Sequence, residues 1–492
     1  DALRVRAVEI ARVLGDDVPA RSTEWWVGLD RGYTHYALEH PNAPAIEIAR
    51  PSALRFYYRQ SPRGILPATF SLPTRQDPAP LWSGEAYVAL DPQGQLLEFS
   101  RLDRQLAPPD SAAPRATNWS ALLALTGHDL SSVHSEEPLW TPDVACDERR
   151  AWIASDGSVS VRLEAASWRG KVVWFRTVAP WERAERDSPP VPFGGTAFAF
   201  FFASVALIVP FIAALAVHNL RLGRGDLRGA LRVGVAVFIC FALADSLRFR
   251  WSGDPLRLWR WMMFQPFFPA LTGWLFYLGI EPFLRRRWPH RLIAWARLLE
   301  GRITDPLVGR DVLLGFLLGA GVVVASRMPA ALQPRHELAP LLQTLPLGRA
   351  ADFWSLVADE LGEALMQGFG SFAVFLLGRV LFRRDAPAWA GLALFWVLIS
   401  FPSASASVIQ WVSVAIATAC VLLAVRVGLL ATIVAVAIPA LLTNCTPLTL
   451  DFSRWYAWRT GVIAALLFAI AAWGFRAAMG RRRIISAAML EG

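Results

Sequence analysis

The stretch from Thr196 to Val217 carries no charged residue, and its length suits a helix that crosses a bilayer, for which about 20 apolar residues suffice. It runs straight into Asn219-Leu-Arg-Leu-Gly-Arg-Gly-Asp-Leu-Arg-Gly-Ala-Leu-Arg232, a short turn where Arg221, Arg224, Arg228 and Arg232 outnumber the single Asp226. A second apolar run, Val233–Leu247, follows. Short loops rich in Arg beside membrane spans stay in the cytoplasm. The first helix is therefore expected to enter from outside and leave inside, with everything before Gly194 outside. A chain cannot begin outside without an earlier signal or crossing. The sequence thus predicts a crossing helix ahead of Asp1, although Asp1 opens with no Met and no leader pattern.

Apolar residues make up 54% of the chain, and the mean hydropathy is +0.36. That is too apolar for a soluble protein of this length. Residues 1–190 nevertheless read as ordinary globular sequence, whereas 195–480 is mostly long apolar runs. The net charge of +9 comes largely from Arg beside those runs. This pattern fits membrane orientation and excludes nucleic acid as the expected partner. The expected partner is the lipid bilayer. The 22 Trp fit an interfacial aromatic belt. Only Cys146 lies before the first span, so no disulfide can close within that region. Cys240, Cys420 and Cys445 read as small buried residues.

Asp1–Leu14 has Leu3, Ala7, Ile10, Ala11 and Leu14 at helical spacing, and Gly15 stops it. Trp25, Trp26, Tyr33 and Tyr36 fall in loop-like sequence. Leu54–Tyr58 predicts a short strand. Glu85–Leu90, the turn Asp91-Pro-Gln-Gly94 and Gln95–Phe99 predict a hairpin, since Pro92 suits the second turn position and Gly94 the permissive one after it. Ala107–Arg115 reads as a linker. Trp119–Leu125 predicts a helix. Val159 to Ala165 alternates as a strand, and Trp168-Arg-Gly170 turns it into Lys171–Thr177. The order helix, strand and hairpin is read twice, which suggests two related α+β halves. Ser188-Pro-Pro-Val-Pro192 is a stiff spacer. The expected fold is thus an N-terminal extracytoplasmic α+β domain with two helix-plus-hairpin halves, followed by a multi-span α-helical membrane bundle.

Eight further spans are expected near 230–248, 260–284, 311–327, 365–382, 387–402, 407–425, 427–445 and 458–476. Nine crossings leave the C-terminus inside, beside Arg476 and Arg481-Arg-Arg483. The basic loop 285–310, led by Arg285, Arg286 and Arg287, is also inside. The acidic stretch Met328–Glu363 falls outside. Arg248, Arg250, Arg257 and Arg260 break the rule, so they either snorkel beside Trp251, Trp259 and Trp261 or belong to a re-entrant segment. Within the basic loop, Pro289–Arg302 groups Leu292, Trp295, Ala296 and Leu299 on one face. That predicts a helix lying in the interface or docked on its own bundle. Asp305-Pro306 is expected to break it, and Asp311 to cap the next span.

The sequence holds no recognisable catalytic, cofactor or metal site. His35-Tyr-Ala-Leu-Glu-His40 has a spacing of five and no supporting Cys pair, which a zinc site on a helix would need. His128 and His134 add nothing to it. Glu360-Leu-Gly-Glu363 lacks the adjacent glutamates, the Arg and the membrane His of a CAAX-type peptidase. Asp245, Glu281 and Arg379 sit at or near membrane depth. Such residues mark a transport pathway or a buried pair, although each also lies within snorkelling reach of a span edge. A transporter with an outer binding domain and a passive membrane anchor are therefore the alternative functions. No Gly-rich loop with a strand Lys, no His-Arg-Asp and no Asp-Phe-Gly is present, so this polypeptide cannot itself transfer phosphate.

Several segments resemble a known group. Val8-Glu-Ile-Ala-Arg-Val-Leu14, Leu54-Arg-Phe-Tyr-Tyr-Arg-Gln-Ser-Pro62, Val88-Ala-Leu-Asp-Pro-Gln-Gly94, Asn219-Leu-Arg-Leu-Gly-Arg-Gly-Asp226 and Asp305-Pro-Leu-Val-Gly-Arg-Asp311 are similar to the region after the first membrane helix in bacterial membrane-bound serine/threonine protein kinases of Acidobacteria and related phyla. The likeness spans most of the chain and weakens after about residue 330. None of these motifs is catalytic. The resemblance implies a kinase domain upstream of the chain, with ATP and Mg bound there and no cofactor in this region. It implies a bacterial inner-membrane location, with a cytoplasmic C-terminus. An outer domain with exposed aromatic loops, fixed to several spans, is in turn expected to sense an unidentified ligand, with the bundle anchoring the kinase and relaying the signal.

Overall fold

The computed structural model describes residues 2–15, 19–30, 32–33, 36, 40, 51–65, 74–106, 116–156, 159–182, 184, 196–248, 264–332, 348–400, 407–445, 452 and 457–480. The chain splits into two compact units. Asp1–Pro189 forms the body of the first, and Pro190–Phe249, Pro255–Leu341 and Arg349–Gly492 make the second.

In the first unit, α1 (Ala2–Leu14) leads into strands β1 (Ser22–Leu29), β2 (Leu54–Ser61), β3 (Ala86–Leu90) and β4 (Leu96–Arg101). Helix α2 (Trp119–Leu125) leads into β5 (His134–Glu136), β6 (Glu148–Asp156), β7 (Val159–Trp168) and β8 (Lys171–Val178). All eight strands form one antiparallel sheet in the order β1-β2-β3-β4-β8-β7-β6-β5. Each half is a helix followed by a four-strand meander, and the halves join through their last strands. Phe99 of β4 lies directly opposite Phe175 of β8, on an approximate two-fold axis through the sheet. Each ring is 1% exposed, and burying each contributes about 1.5–3 kcal/mol. The repeat read from the sequence is thus present as one continuous sheet.

Successive strand residues point to opposite faces. Phe56, Tyr58, Val88, Phe99, Phe175, Ala165 and Leu163 share one face by register. There α1 buries Ala7, Ile10, Ala11 and Leu14, its i, i+3, i+4, i+7 stripe. On the same face Trp119 of α2 meets Trp152 edge-on at 5.7 Å. The Asn118 side chain caps α2 by accepting from Ala121 N at 3.1 Å.

Trp25 and Trp26 lie in a strand, not a loop. They stack on Phe56 and Tyr57 at 5.7 and 5.3 Å, one on each side of the sheet. With both faces covered, the alternation that marks a half-buried strand is missing from the sequence.

The second unit holds α3 (Thr196–Arg221), α4 (Leu227–Arg248), α5 (Phe267–Arg287), a 3-10 turn at Pro289–Arg291, and α6 (Ile293–Leu299). It continues with α7 (Pro306–Leu332), α8 (Ala350–Phe382), α9 (Asp385–Ile399), α10 (Val408–Val427), α11 (Leu429–Asn444) and α12 (Ala457–Met479). Seven of the described helices are long and apolar enough to cross a membrane: α3, α4, α5, α7, α8, α10 and α12. Helices α9 and α11 are apolar but have 15 and 16 residues. At about 1.5 Å per residue each reaches roughly 23 Å, short of a hydrocarbon core of about 30 Å.

The bundle packs through small residues. Gly315 and Gly319 of α7 let its backbone close on α11. A Cβ at Gly315 would lie 2.6 Å from Ala431 O, and one at Gly319 would lie 2.8 Å from Ile438 Cβ. This Gly-xxx-Gly spacing permits close helix approach where no hydrophobic force acts between apolar helices in lipid. Isolated polar groups are satisfied across helices. Ser413 Oγ donates to Ala325 O at 2.7 Å, and Asn219 Nδ2 donates to Leu278 O at 2.9 Å.

The turns 222–226, 383–384 and 428 and the segment 288–305 gather at one end of the bundle. Arg232 Nη1 donates to Leu299 O at 2.7 Å, and Arg291 O lies 2.8 Å from where a Cβ on Gly428 would stand. Helix α6 docks on the bundle core, with Leu292, Ala294 and Trp295 buried. The segment thus packs against its own bundle.

Asp305-Pro306 starts α7 instead of breaking a helix. Asp305 Oδ1 accepts from Leu307 N at 2.9 Å, and Pro306 fills the first helical position, where its missing N–H costs nothing. Asp311 is therefore no cap. It is buried one turn inside and pairs with Arg310 Nη2 at 2.8 Å. The acidic stretch 352–363 is helical, as the first part of α8, where Asp352 accepts from Arg349 N at 3.0 Å. Arg250, Arg257, Arg260, their neighbouring Trp251, Trp259 and Trp261, the 107–115 linker, the 188–192 spacer and Arg481–Arg483 lie outside the described residues.

Candidate functional site

Opposite its helices, the sheet carries charge. Register places Arg55, Tyr57 and Arg59 of β2, Tyr87 and Ala89 of β3, Glu98 of β4, Arg176 of β8 and Glu164 of β7 on this face. Arg55 is the hub. Its Nη2 donates to Asp30 Oδ2 at 2.6 Å and to Glu182 Oε1 at 3.0 Å, and its Nη1 donates to Glu98 Oε1 at 3.0 Å. Arg176 Nε donates to Glu182 Oε2 at 2.8 Å. Trp181 Nε1 and Gly32 N both donate to Asp30, at 2.9 Å each. Side chains on the sheet thus tie down the segments around residues 30–32 and 181–182.

Burial alone would depress the Arg55 guanidinium, but Asp30, Glu182 and Glu98 together hold it above its ordinary value. Burial raises the Tyr57 and Tyr87 hydroxyls, so both stay protonated and neutral. A second buried pair, Arg59 with Glu85 at 3.4 Å, fastens the segment before β3, and Ser61 Oγ donates to the same carboxylate at 2.8 Å.

The rim of this face is open. Arg75 Nη2 meets Asp143 Oδ2 at 3.2 Å, with the two side chains 25% and 40% exposed. The Arg75 guanidinium lies 5.7 Å from the Tyr87 ring, and that of Arg176 lies 5.0 Å from Trp140. A guanidinium and a carboxylate on loops, beside the Trp140 ring and over a rigid sheet, can recognise a polar ligand. Across the sheet, a cleft of about 150 Å³ is lined by Gly15, Gln60, Ser83 and Arg101, with Arg101 paired to Asp103 at 2.9 Å. Neither place holds a nucleophile beside a base. Among the described residues no cluster of His, Cys, Asp and Glu could hold a metal ion. His35 and Glu39 lie outside the described residues. The His40 ring stacks on Tyr36 at 4.0 Å.

The three ionisable residues singled out in the spans do not converge. Asp245 is half-buried near the far end of α4, where Arg248 meets Asp359 at 3.2 Å. Glu281 and Arg379 belong to the arginine-rich end. Glu281 is 2% exposed and pairs with Arg285 Nε at 2.6 Å, whereas Arg379 pairs with Asp385 at 2.7 Å. Of the other arginines in that set, Arg221, Arg224, Arg228, Arg286 and Arg287 are exposed on the turns and helix ends there.

The chain is a polytopic membrane protein with a soluble β domain. It matches no family model, no curated protein and no solved structure. Its likeness to membrane-bound kinases therefore stays a likeness of motifs. The Arg55 cluster was missed in the sequence although a signal existed. Arg55 and Arg59 are charges inside a strand run, Leu54–Ser61, and Glu98 sits in the middle of Leu96–Arg101. Ionisable groups within strands that are apolar on both sides point to buried pairs.

Proposed function

We propose that the chain is the sensing and anchoring region of a membrane-bound serine/threonine kinase. On this reading the β domain lies outside the cytoplasmic membrane, the helical unit spans it, and the arginine-rich end faces a kinase in the cytoplasm. The observation that carries the reading is the gathering of the turns 222–226, 383–384 and 428 at one end of the bundle, which concentrates Arg221, Arg224, Arg285, Arg383 and Arg426 there. Positive charge on short loops is retained inside. The motif resemblance supports the kinase, and the open rim at Arg75 and Asp143 supports ligand recognition.

Sidedness is tested by cysteine labelling in a chain whose four native cysteines are replaced. Leu130 is 51% exposed in the β domain, and Arg384 is exposed in the α8–α9 turn. A membrane-impermeant maleimide should label Leu130→Cys in intact spheroplasts and reach Arg384→Cys only after lysis. The reverse pattern overturns the orientation and the kinase reading with it.

Coupling is tested by phosphotransfer in membranes from cells making the natural gene product, with and without residues 1–190. Sensing predicts a changed basal rate or a lost response in the truncated form. For coupling to occur, the ligand must favour one bundle arrangement over another. Equal rates and equal responses would leave only an anchor.

A further inference from the structure

The arginine-rich end contains a built site that neither the fold nor the proposed signalling role uses. Arg291 closes the 3-10 turn after α5, and its guanidinium carbon sits 5.2 Å from the Trp288 ring, 5.6 Å from Phe375 and 5.4 Å from Trp389. The rings pack on each other, with Phe375 4.7 Å from Trp389 and 5.4 Å from Trp288. They come from the end of α5, from α8 and from α9. The cage is therefore fixed by the bundle and not by a mobile loop.

Arg426, at the end of α10, brings a second guanidinium to the same Trp389 ring, at 5.1 Å, close enough for its charge to act on Arg291. The nearest acid is Asp385, which Arg379 already engages at 2.7 Å. Burial, with the Arg426 charge, holds the Arg291 guanidinium below its ordinary value, and Asp385 offsets this only in part.

Arg291 Nε and Nη1 are both buried, and among the described residues neither has a hydrogen-bond acceptor. Aromatic faces attract a cation but accept its N–H groups poorly. A caged guanidinium with unused donors, a second guanidinium beside it and no free carboxylate together form a receptor for a tetrahedral anion. Trp288 and Trp389 are the residue type that settles at the headgroup level of a bilayer.

We propose that Arg291 and Arg426 bind the phosphate of an anionic phospholipid headgroup, with Trp288 and Trp389 as its aromatic walls. Basic pockets between membrane helices are a known setting for recognition of anionic headgroups. Lipid bound there would bridge α5, α8, α9 and α10 and so stiffen the end of the bundle. This proposal rests on the membrane embedding alone and not on the kinase reading.

The test uses the full chain in a neutral detergent, with native mass spectrometry and thermal melting. The probes are phosphatidylglycerol, phosphatidylcholine and inorganic phosphate. Wild type should retain phosphatidylglycerol and melt several degrees higher with it than with phosphatidylcholine. The double variant Arg291→Gln, Arg426→Gln should bind it at least about tenfold more weakly and lose that extra shift. The double variant Arg383→Gln, Arg384→Gln removes two exposed arginines from the same end and should bind as wild type. If the Arg291 variants fail to fold, Arg426→Gln alone carries the test and should show a weaker shift. Wild-type binding by either Arg426 variant overturns the proposal. So does equal loss in the Arg383/Arg384 variant, which would mean diffuse charge. Equal protection by inorganic phosphate would mean a soluble anion and also overturns it.

Discussion

Replacing Arg55 with methionine is expected to cost the β domain about 3–5 kcal/mol, enough to unfold it in many chains of this size. The side chain is 6% exposed and meets Asp30, Glu98 and Glu182 within 3.0 Å. Methionine fills the space but leaves buried carboxylates without that cation. The loss should depend on pH in a definite sense. Burial already raises the Glu182 carboxyl above its ordinary value, against the pull of Arg55 and Arg176. Without Arg55 it rises further. A carboxyl whose folded pKa is raised stabilises the fold below its unfolded value of about 4.5 and loses that contribution as pH climbs through the folded value. Denaturant unfolding of the full chain, followed by tryptophan fluorescence of the β domain, should therefore find the variant nearer to wild type at pH 4.5 than at pH 7.5. An equal deficit at both pH values would show that the cluster acts through packing and not through charge.

Gly315→Leu is expected to be the most damaging single change in the bundle. A Cβ there would meet Ala431 O at 2.6 Å and Val434 Cβ at 2.8 Å, and the first of these is backbone that cannot rotate away. Overpacking a rigid interface costs about 1–3 kcal/mol, and more where main chain must move. The expected result is loss of the monodisperse species on size exclusion in detergent, or a melting point many degrees lower. Gly391→Leu is the matched control. That glycine also lies in an apolar helix but has nothing within 4 Å of its Cβ position, so it should melt as wild type. If both variants behave alike, the α7–α11 contact does not hold the bundle together.

Much of this architecture was legible in the residues. Uncharged length announced α3, and turn chemistry announced the β3–β4 hairpin, because Asp91, Pro92 and Gly94 each meet a specific backbone demand. What stayed hidden has common physical causes. The strand containing Trp25 and Trp26 is covered on both sides, so its sequence lacks a period of two. The first turns of α8 looked like an outer loop because Asp352, Asp359, Glu360 and Glu363 are acidic. In the fold Asp352 pairs with Arg349 at the helix N-cap, Asp359 pairs with Arg248 of α4, and Glu360 accepts from Asn444 of α11. Asp311 and Asp305 both fit a cap by composition. Only the backbone shows that Asp305 holds the Leu307 N–H. The Arg291 cage draws on residues 288, 291, 375, 389 and 426, a separation no local pattern can span.

The strand that leads out of the β domain has a mechanical consequence. The last strand, β8, is hydrogen-bonded to β4 on one side and β7 on the other. Tension drawn along β8 would load the middle of the sheet in shear across two ladders, instead of unzipping an edge one bond at a time. Strain arising in either half would meet at this strand, and the join would yield only when both ladders slipped together.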